Sequence, residues 1–148
     1  PVAYLSGPNF AGEVAGGIPT AGVVAARTMA EAEALCQQLS TPAFRLYAND
    51  DMIGVGLLGA LKNVLAIGAG LIAGAAPDYN LGENTRAAFI TRGLAEMTRL
   101  GLALGAKPAS FAGLAGIGDI ILTCSSTQSR NYRYGFAVGA GQKPDGTM

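Results

Sequence analysis

The apolar stretch DDMIGVGLLGALKNVLAIGAGLIAGAA, residues 50–76, decides the fold of this chain. It contains one ammonium group, Lys62, and one side-chain amide, Asn63, near its middle. At helical pitch Lys62 shares a face with Leu58 and Leu65. An ionisable side chain on such a face either extends to water or has a chemical function. The stretch alone leaves both interpretations of Lys62 open.

A membrane-spanning helix is one alternative for this stretch. Such a helix needs about 20 predominantly apolar residues, and a lysine at its centre costs about 2.5 to 3.5 kcal/mol. The apolar runs on either side of Lys62 and Asn63 are each shorter than that. We therefore predict a buried helix from Asp50 to about Gly74 and no membrane span.

A nucleotide-binding loop is another alternative, because Gly68, Gly70 and Gly74 can be read as a glycine-rich turn after a short strand. That turn requires a helix to begin within the glycines, whereas Pro77 interrupts the chain shortly afterwards. We predict instead that the glycines let the helix pack closely against its neighbours.

The composition limits the possible functions. The chain has 148 residues, of which half are hydrophobic and 14% are charged, and its formal net charge is zero. This balance argues against a nucleic acid partner, because phosphate binding requires a basic excess. The low charged fraction indicates a surface that something covers, and a homodimer is one arrangement that would do so.

The chain contains no histidine. Ser-His-Asp and Cys-His nucleophiles and histidine-containing metal sites are therefore excluded, and we predict no metal site. Acid or base chemistry must come from Lys, Asp, Glu, Tyr or Cys. Cys36 and Cys124 lie far apart in apolar surroundings, which is typical of reduced thiols in a cytoplasmic protein.

The first fifty residues alternate between short apolar runs and helical patterns. They predict strands at Val2–Leu5, Ala21–Ala26 and Phe44–Ala48, and helices at Phe10–Ala15 and Thr28–Ser40. Ser6 or Asn9 is expected to cap the first helix, and Thr28 with Glu31 forms a capping box for the second. This order is typical of the end of an α/β sheet.

From Asp50 onward the pattern is helical. It predicts helices at Glu83–Leu104, Pro108–Leu114 and Ile120–Cys124, a loop at Pro77–Gly82 and a turn at Gly116–Asp119. The resulting fold class is an α+β fragment, mainly α, in which the end of a Rossmann-like sheet precedes an all-helical domain.

A polar segment follows at Ser125–Arg133. Ser129, Arg130 and Asn131 suit a phosphate site, because a forked guanidinium matches phosphate oxygens and the hydroxyl and amide supply further donors. A polar helix-capping loop explains the same residues, and the segment alone leaves both open.

Three motifs together identify a resemblance: SGPNFA at residues 6–11, GALKN at 59–63, and GIGD followed by LTCSSTQSRN from 116 to 131. Their order and spacing resemble the NAD(P)-dependent glycerol-3-phosphate dehydrogenase family of bacterial type. The resemblance implies that residues 1–49 end a dinucleotide-binding domain. It also implies that residues 50–148 form a helical substrate-binding domain, similar to the C-terminal domain of 6-phosphogluconate dehydrogenase and truncated at its C-terminus.

The implied activity is reversible hydride transfer between NAD or NADP and sn-glycerol 3-phosphate, with dihydroxyacetone phosphate as the ketone. In the family this reaction supplies glycerophospholipid synthesis in the cytoplasm. The chain begins at Pro1 without an initiator Met, and we expect a piece of a longer protein that is inactive alone, because the cofactor fingerprint is missing.

The resemblance also implies roles for individual residues. Lys62 matches the proton acceptor and donor, and Asp119 matches a carboxylate that pairs with it or orients it. The other implied contacts are to substrate, from Gly7, Asn9, Ser129, Arg130 and Asn131, and to cofactor, from Ala11 and Arg130.

A lysine base fits the lack of histidine. Desolvation and a nearby cation would lower its pKa from about 10.4, with Arg130 as the candidate cation and Asp119 acting in the opposite direction. The sequence leaves open which of the two charges dominates.

Three positions depart from the family pattern. Asn9 stands where a Ser or Thr hydroxyl is usual, Gly56 replaces a common Glu, and the loop at 75–82 is slightly longer. Two rival functions remain: a related two-domain hydroxy-acid dehydrogenase, and a non-catalytic helical module for partner or membrane interaction.

Overall fold

A three-stranded sheet with two helices forms the first part of the molecule. The computed structural model describes residues 2–143. Its first elements are β1 (Tyr4–Ser6), α1 (Ala11–Ala15), β2 (Thr20–Ala25), α2 (Met29–Leu39) and β3 (Phe44–Asn49). β2 pairs in parallel with β3 and antiparallel with β1. The parallel pairing follows from the β2–α2–β3 crossover, because parallel neighbours need a long connection.

The caps of the first two helices test the sequence pattern. The Thr28–Glu31 capping box of α2 is confirmed, with the Glu31 amide donating to Thr28 Oγ1 at 3.2 Å. The expected cap of α1 by Ser6 or Asn9 is wrong, because Phe10 occupies the N-cap position and makes no side-chain cap bond. The backbone N–H of Asn9 instead donates to the Gly7 carbonyl in the preceding turn.

The apolar stretch forms α3 (Met52–Tyr79), which is the central helix of the molecule. The helix is confirmed, but its expected end near Gly74 is wrong, since it continues through Pro77. A proline in the last turn removes only one backbone bond. The helix ends at Asn80, whose φ of 51° places it in the left-handed conformation that commonly terminates helices.

The remaining helices surround α3. They are α4 (Glu83–Ala103), α5 (Pro108–Ala112), a π-helical turn at Leu114–Gly118, α6 (Asp119–Ser125) and α7 (Arg130–Gly139). The helix expected to extend to Leu114 ends at Ala112, because Gly113 has extended dihedrals of −91° and −170°. The helical assignment of Ile120–Cys124 is confirmed within α6.

Two pairs of glycines bring α3 and α7 into backbone contact. A Cβ at Gly70 or Gly74 would overlap carbonyl oxygens of α7, and a Cβ at Gly135 or Gly139 would overlap carbonyl oxygens of α3. The predicted use of the α3 glycines in helix packing is confirmed. The nucleotide-loop alternative is excluded, because these glycines lie inside a continuous helix.

Asp51 joins the start of α3 to the start of α5. Its buried carboxylate accepts hydrogen bonds from the Gly54 amide at 2.8 Å, the Lys107 amide at 2.8 Å and the Ser110 hydroxyl at 2.6 Å. A buried carboxylate needs such donors to offset its desolvation. The start of α5 is therefore held against the start of α3.

The aromatic ring of Tyr4 packs over Gly56. A Cβ at position 56 would lie 3.2 Å from that ring. Gly56 thus lies under a side chain of β1, and a side chain at position 56 would require the ring to shift by a few tenths of an ångström.

Among residues 2–143, α3 alone is long and apolar enough to cross a membrane on length and composition. In this structure it packs against α4, α6 and α7, but only 33% of its most apolar window is buried, so the helix expected to be buried is buried on one side only. The predicted absence of a membrane span stays a prediction.

We expect Gly70→Ala to lower the free energy of unfolding by about 2 kcal/mol, because the new methyl would overlap the Tyr132 carbonyl of a rigid backbone. The matched control is Gly59→Ala on the same helix, where a Cβ meets nothing within 4 Å. The control should be neutral or stabilising by up to about 1 kcal/mol. Urea unfolding of both variants checks this, and equal stabilities would contradict the packing argument.

Candidate functional site

A polar cavity of about 180 Å³ lies where α3, α6 and the start of α7 meet the turn after β1. Its lining consists of Asn9, Phe10, Lys62, Asn63, Asp119, Leu122, Thr123, Gln128, Ser129, Arg130 and Asn131. A larger cavity of about 320 Å³ lies along α7, but none of the predicted site residues lines it. The smaller cavity is therefore the candidate site.

Most of the predicted site residues meet in this cavity. Its lining includes Asn9, Lys62, Asp119, Ser129, Arg130 and Asn131, which come from widely separated parts of the sequence. Gly7 and Ala11 do not line it. Gly7 is buried in the preceding turn, where its φ of 130° and its approach to Gly22 require glycine. Ala11 is exposed at the start of α1.

An ion pair between Lys62 and Asp119 forms one wall of the cavity. The Lys62 ammonium donates to Asp119 Oδ2, and the two side chains are 22% and 3% exposed. The other carboxylate oxygen accepts from Thr123 Oγ1 at 3.0 Å. Lys62 thus ends at a buried carboxylate rather than in open solvent. Of the two charges expected to act on it, Asp119 is the one in contact.

The charge of Asp119 also affects Cys124, which is buried in the same helix. Burial, and then the neighbouring Asp119 carboxylate, raise the pKa of the Cys124 thiol to about 11. At neutral pH this cysteine is a thiol and not a thiolate, so it is a poor nucleophile. Burial likewise raises the pKa of Cys36.

The first turn of α7 forms the opposite wall. Ser129 Oγ accepts from the Tyr132 amide at 3.2 Å and caps the helix, which confirms the capping interpretation for this residue. Asn131 Nδ2 donates to Asn63 Oδ1 of α3 at 2.9 Å. Arg130 is exposed and makes no hydrogen bond or ion pair within residues 2–143. Its guanidinium is available for an anion.

Asn9 offers a donor without a partner. Its Nδ2 atom is buried and makes no hydrogen bond within residues 2–143, although the side chain lines the cavity. The Nδ2 atom lies against Gly7 and Gly22, so the amide would have to turn toward the cavity before it could donate to a ligand. The amide can then replace the hydroxyl that is usual at this position.

Sequence reasoning missed five of the lining residues. Thr123 carried a usable signal, because it lies four positions after Asp119 on one helix and so shares its face. Asn63 also carried a usable signal, because it is the lone side-chain amide in an apolar stretch. Phe10, Leu122 and Gln128 gave no chemical signal of their own.

A metal centre finds no support in the described part of the chain. Residues 2–143 contain no group of three or more His, Cys, Asp or Glu side chains close enough to hold an ion. The groups available for chemistry are the lysine, the carboxylate, the guanidinium and the amides already described.

Comparison with known proteins adds independent evidence. A profile described as NAD-dependent glycerol-3-phosphate dehydrogenase C-terminus matches residues 51–148. Glycerol-3-phosphate dehydrogenase (NAD(P)+) of Cereibacter sphaeroides is 55% identical over 148 residues, which are 100% of this chain and 47% of that protein. The protein of the same description from Symbiobacterium thermophilum is 53% identical over 144 residues, which are 97% of this chain and 41% of that protein.

The fold is similar to solved structures of the same description. The crystal structure of glycerol-3-phosphate dehydrogenase from Coxiella burnetii aligns with a TM-score of 0.87 and 48% identity, over 94% of this chain and 42% of that one. The predicted fold class is confirmed by this likeness. The chain spans less than half the length of the relatives that it matches.

We expect Cys124 to react slowly with iodoacetamide at pH 8, because a pKa of about 11 leaves almost no thiolate. A Cys36→Ser variant isolates Cys124, and the same variant unfolded in urea supplies the control rate. Absorbance at 240 nm should show thiolate formation only above pH 10. Reaction at the rate of the unfolded control would contradict this account of the burial and charge around Asp119.

Proposed function

Because the chain belongs to the NAD-dependent glycerol-3-phosphate dehydrogenase family, we propose that the protein containing it oxidises sn-glycerol 3-phosphate to dihydroxyacetone phosphate and catalyses the reverse reduction. The observation that carries this proposal is the convergence of Lys62, Asp119, Arg130 and Asn131 on one polar cavity. These groups supply a proton carrier and an anion site within a single small space.

Cofactor binding and substrate binding belong to different parts of the chain. Residues 1–49 end the dinucleotide-binding domain, and residues 50–148 begin the helical substrate domain. The change from the β2–α2–β3 unit to α3, with Asp51 as the first cap of the helical part, supports a boundary at this point.

Lys62 carries the proton of the substrate. Oxidation of the secondary alcohol moves a hydride from C2 and a proton from the C2 hydroxyl, and the Lys62 amine accepts that proton. In reduction the ammonium donates a hydrogen bond to the ketone oxygen and then its proton. Asp119, held by Thr123, keeps the ammonium at one place on the cavity wall.

Arg130 and Asn131 bind the phosphate end of the substrate, and Ser129 and Asn9 contact the rest of it. Arg130 has the charge and the forked geometry that phosphate requires. Asn131 is held against α3 by Asn63, so its position is set before a ligand arrives. Asn9 lines the cavity and donates to a substrate oxygen once its amide turns away from Gly7 and Gly22. The buried Gly7 acts through the turn that carries Asn9.

The residues at the cavity edge fit NAD or NADP. Ala11 and Arg130 would contact the cofactor, since both are exposed, Arg130 lines the cavity and Ala11 directly follows the lining residue Phe10. When bound, the cofactor accepts the hydride. We also propose a cytoplasmic homodimer that supplies glycerol phosphate for phospholipid synthesis, which the low charged fraction and the family relationship support.

A substrate panel tests the function. A full-length protein carrying this chain should reduce NAD(P) with sn-glycerol 3-phosphate and show at most a trace of activity with 2-hydroxy acids, because the anion site suits a phosphate. Thermal stabilisation by inorganic phosphate is the accompanying binding measurement. A preference for hydroxy acids would favour the rival dehydrogenase. Detergent dependence without activity would favour the interaction or membrane module.

Two substitutions separate proton transfer from binding. We expect Lys62→Ala to lower kcat by about a hundredfold or more with a small change in KM, because general acid–base catalysis is lost. Arg130→Ala should mainly raise KM for glycerol 3-phosphate, by about tenfold or more, with partial recovery in Arg130→Lys. Lys107→Ala, which removes a surface ion pair with Asp50, is the control. Near-normal turnover of the Lys62 variant would reject the assigned role.

A further inference from the structure

A hydrogen bond between side chains joins the first part of the chain to the helical part. Gln128 Nε2 donates to Glu13 Oε1 at 2.8 Å, across 115 residues of sequence. Within residues 2–143 no other pair of side chains bonds residues before position 50 to residues after it. This contact lies between α1 and the loop that precedes α7.

The loop that carries Gln128 is braced from its own side. The Arg133 guanidinium donates to the Thr127 carbonyl at 2.9 Å and to the Gln128 carbonyl at 3.4 Å. The Gln128 amide donates to Ser126 Oγ at 3.1 Å. The backbone of Gln128 is therefore fixed, and its side chain has only a short distance to span to Glu13.

Gln128 also lines the cavity, directly before Ser129 and Arg130. On the facing side, the chain that leads to Glu13 contributes Asn9 and Phe10 to the lining. The bond therefore connects the two walls that flank the anion site. The bond is exposed to solvent, and its carboxylate acceptor makes it charge-assisted.

We propose that Gln128 is a positioning residue, and that its bond to Glu13 sets the spacing between the Asn9 wall and the Arg130 wall. This inference rests on the proposed function for its kinetic consequence. The bond holds the site at the width of a small phosphate ester. Its loss widens the site and weakens substrate binding more than it slows proton transfer at Lys62.

A reciprocal exchange of the two side chains tests the contact. In a full-length protein carrying this chain, Gln128→Glu places two carboxylates in contact, and KM for glycerol 3-phosphate should rise about fivefold while kcat stays within about twofold. The double variant Glu13→Gln with Gln128→Glu restores a donor and an acceptor, so KM should return close to wild type. Gln38→Glu on the exposed face of α2 is the charge control.

The double variant distinguishes positioning from simple repulsion. If a carboxylate at position 128 merely repelled the substrate phosphate, the double variant would stay as impaired as the single one, and the proposal would be overturned. A fall in kcat at unchanged KM would overturn it as well.

Backbone amide exchange supplies a readout that needs no activity. Exchange of the Gln128 and Ser129 amides should speed up several-fold in Gln128→Glu and recover in the double variant. If the wild-type protein is inactive but the variants show this exchange pattern, the proposed function is rejected and the Gln128–Glu13 contact is supported. Unchanged exchange in an active protein would reject the contact alone.

Discussion

The close contact between the backbones of α3 and α7 is the constraint on which the rest of the structure depends. Larger side chains would separate the two helices, because glycines of each helix face carbonyl oxygens of the other. Their approach places Asn63 within hydrogen-bonding distance of Asn131. It also places the part of α3 that carries Lys62 beside the first turn of α7, which carries Arg130. The site is thus carried by two packed helices, which hold side chains more precisely than loops do.

Within that frame, Asp119 determines the electrostatics of the site. Its carboxylate is almost fully buried, and the desolvation of such a group is costly unless donors surround it. Lys62 and Thr123 supply those donors. A buried pair of this kind adds little net stability, and its presence at a cavity is more typical of a functional site than of a structural core. Burial and, after it, the same charge raise the pKa of the Cys124 thiol and leave it unreactive at neutral pH.

Local patterns predicted those features whose causes are local. The apolar run, the Thr28–Glu31 capping box and the glycine spacing each act over a few residues, and the structure follows them. The end of α3 departed from expectation because a proline in the last turn is tolerated and Asn80 supplies the terminating conformation. The cap of α1 departed because Phe10 takes the position expected of a polar side chain.

The site itself was only partly accessible to such reasoning. Lys62 stood out as a charge on an apolar face, but its partner lies 57 residues away, and no periodicity connects them. The motif resemblance assigned Lys62 and Asp119 to one site. That assignment came from the function of the family and not from any distance that the sequence could give. The bond between Glu13 and Gln128 depends on tertiary structure alone. The packing of Tyr4 over Gly56 has a comparable origin. A larger residue at position 56 would require the Tyr4 ring to shift by a few tenths of an ångström, and a ring that is 44% exposed has room to do so.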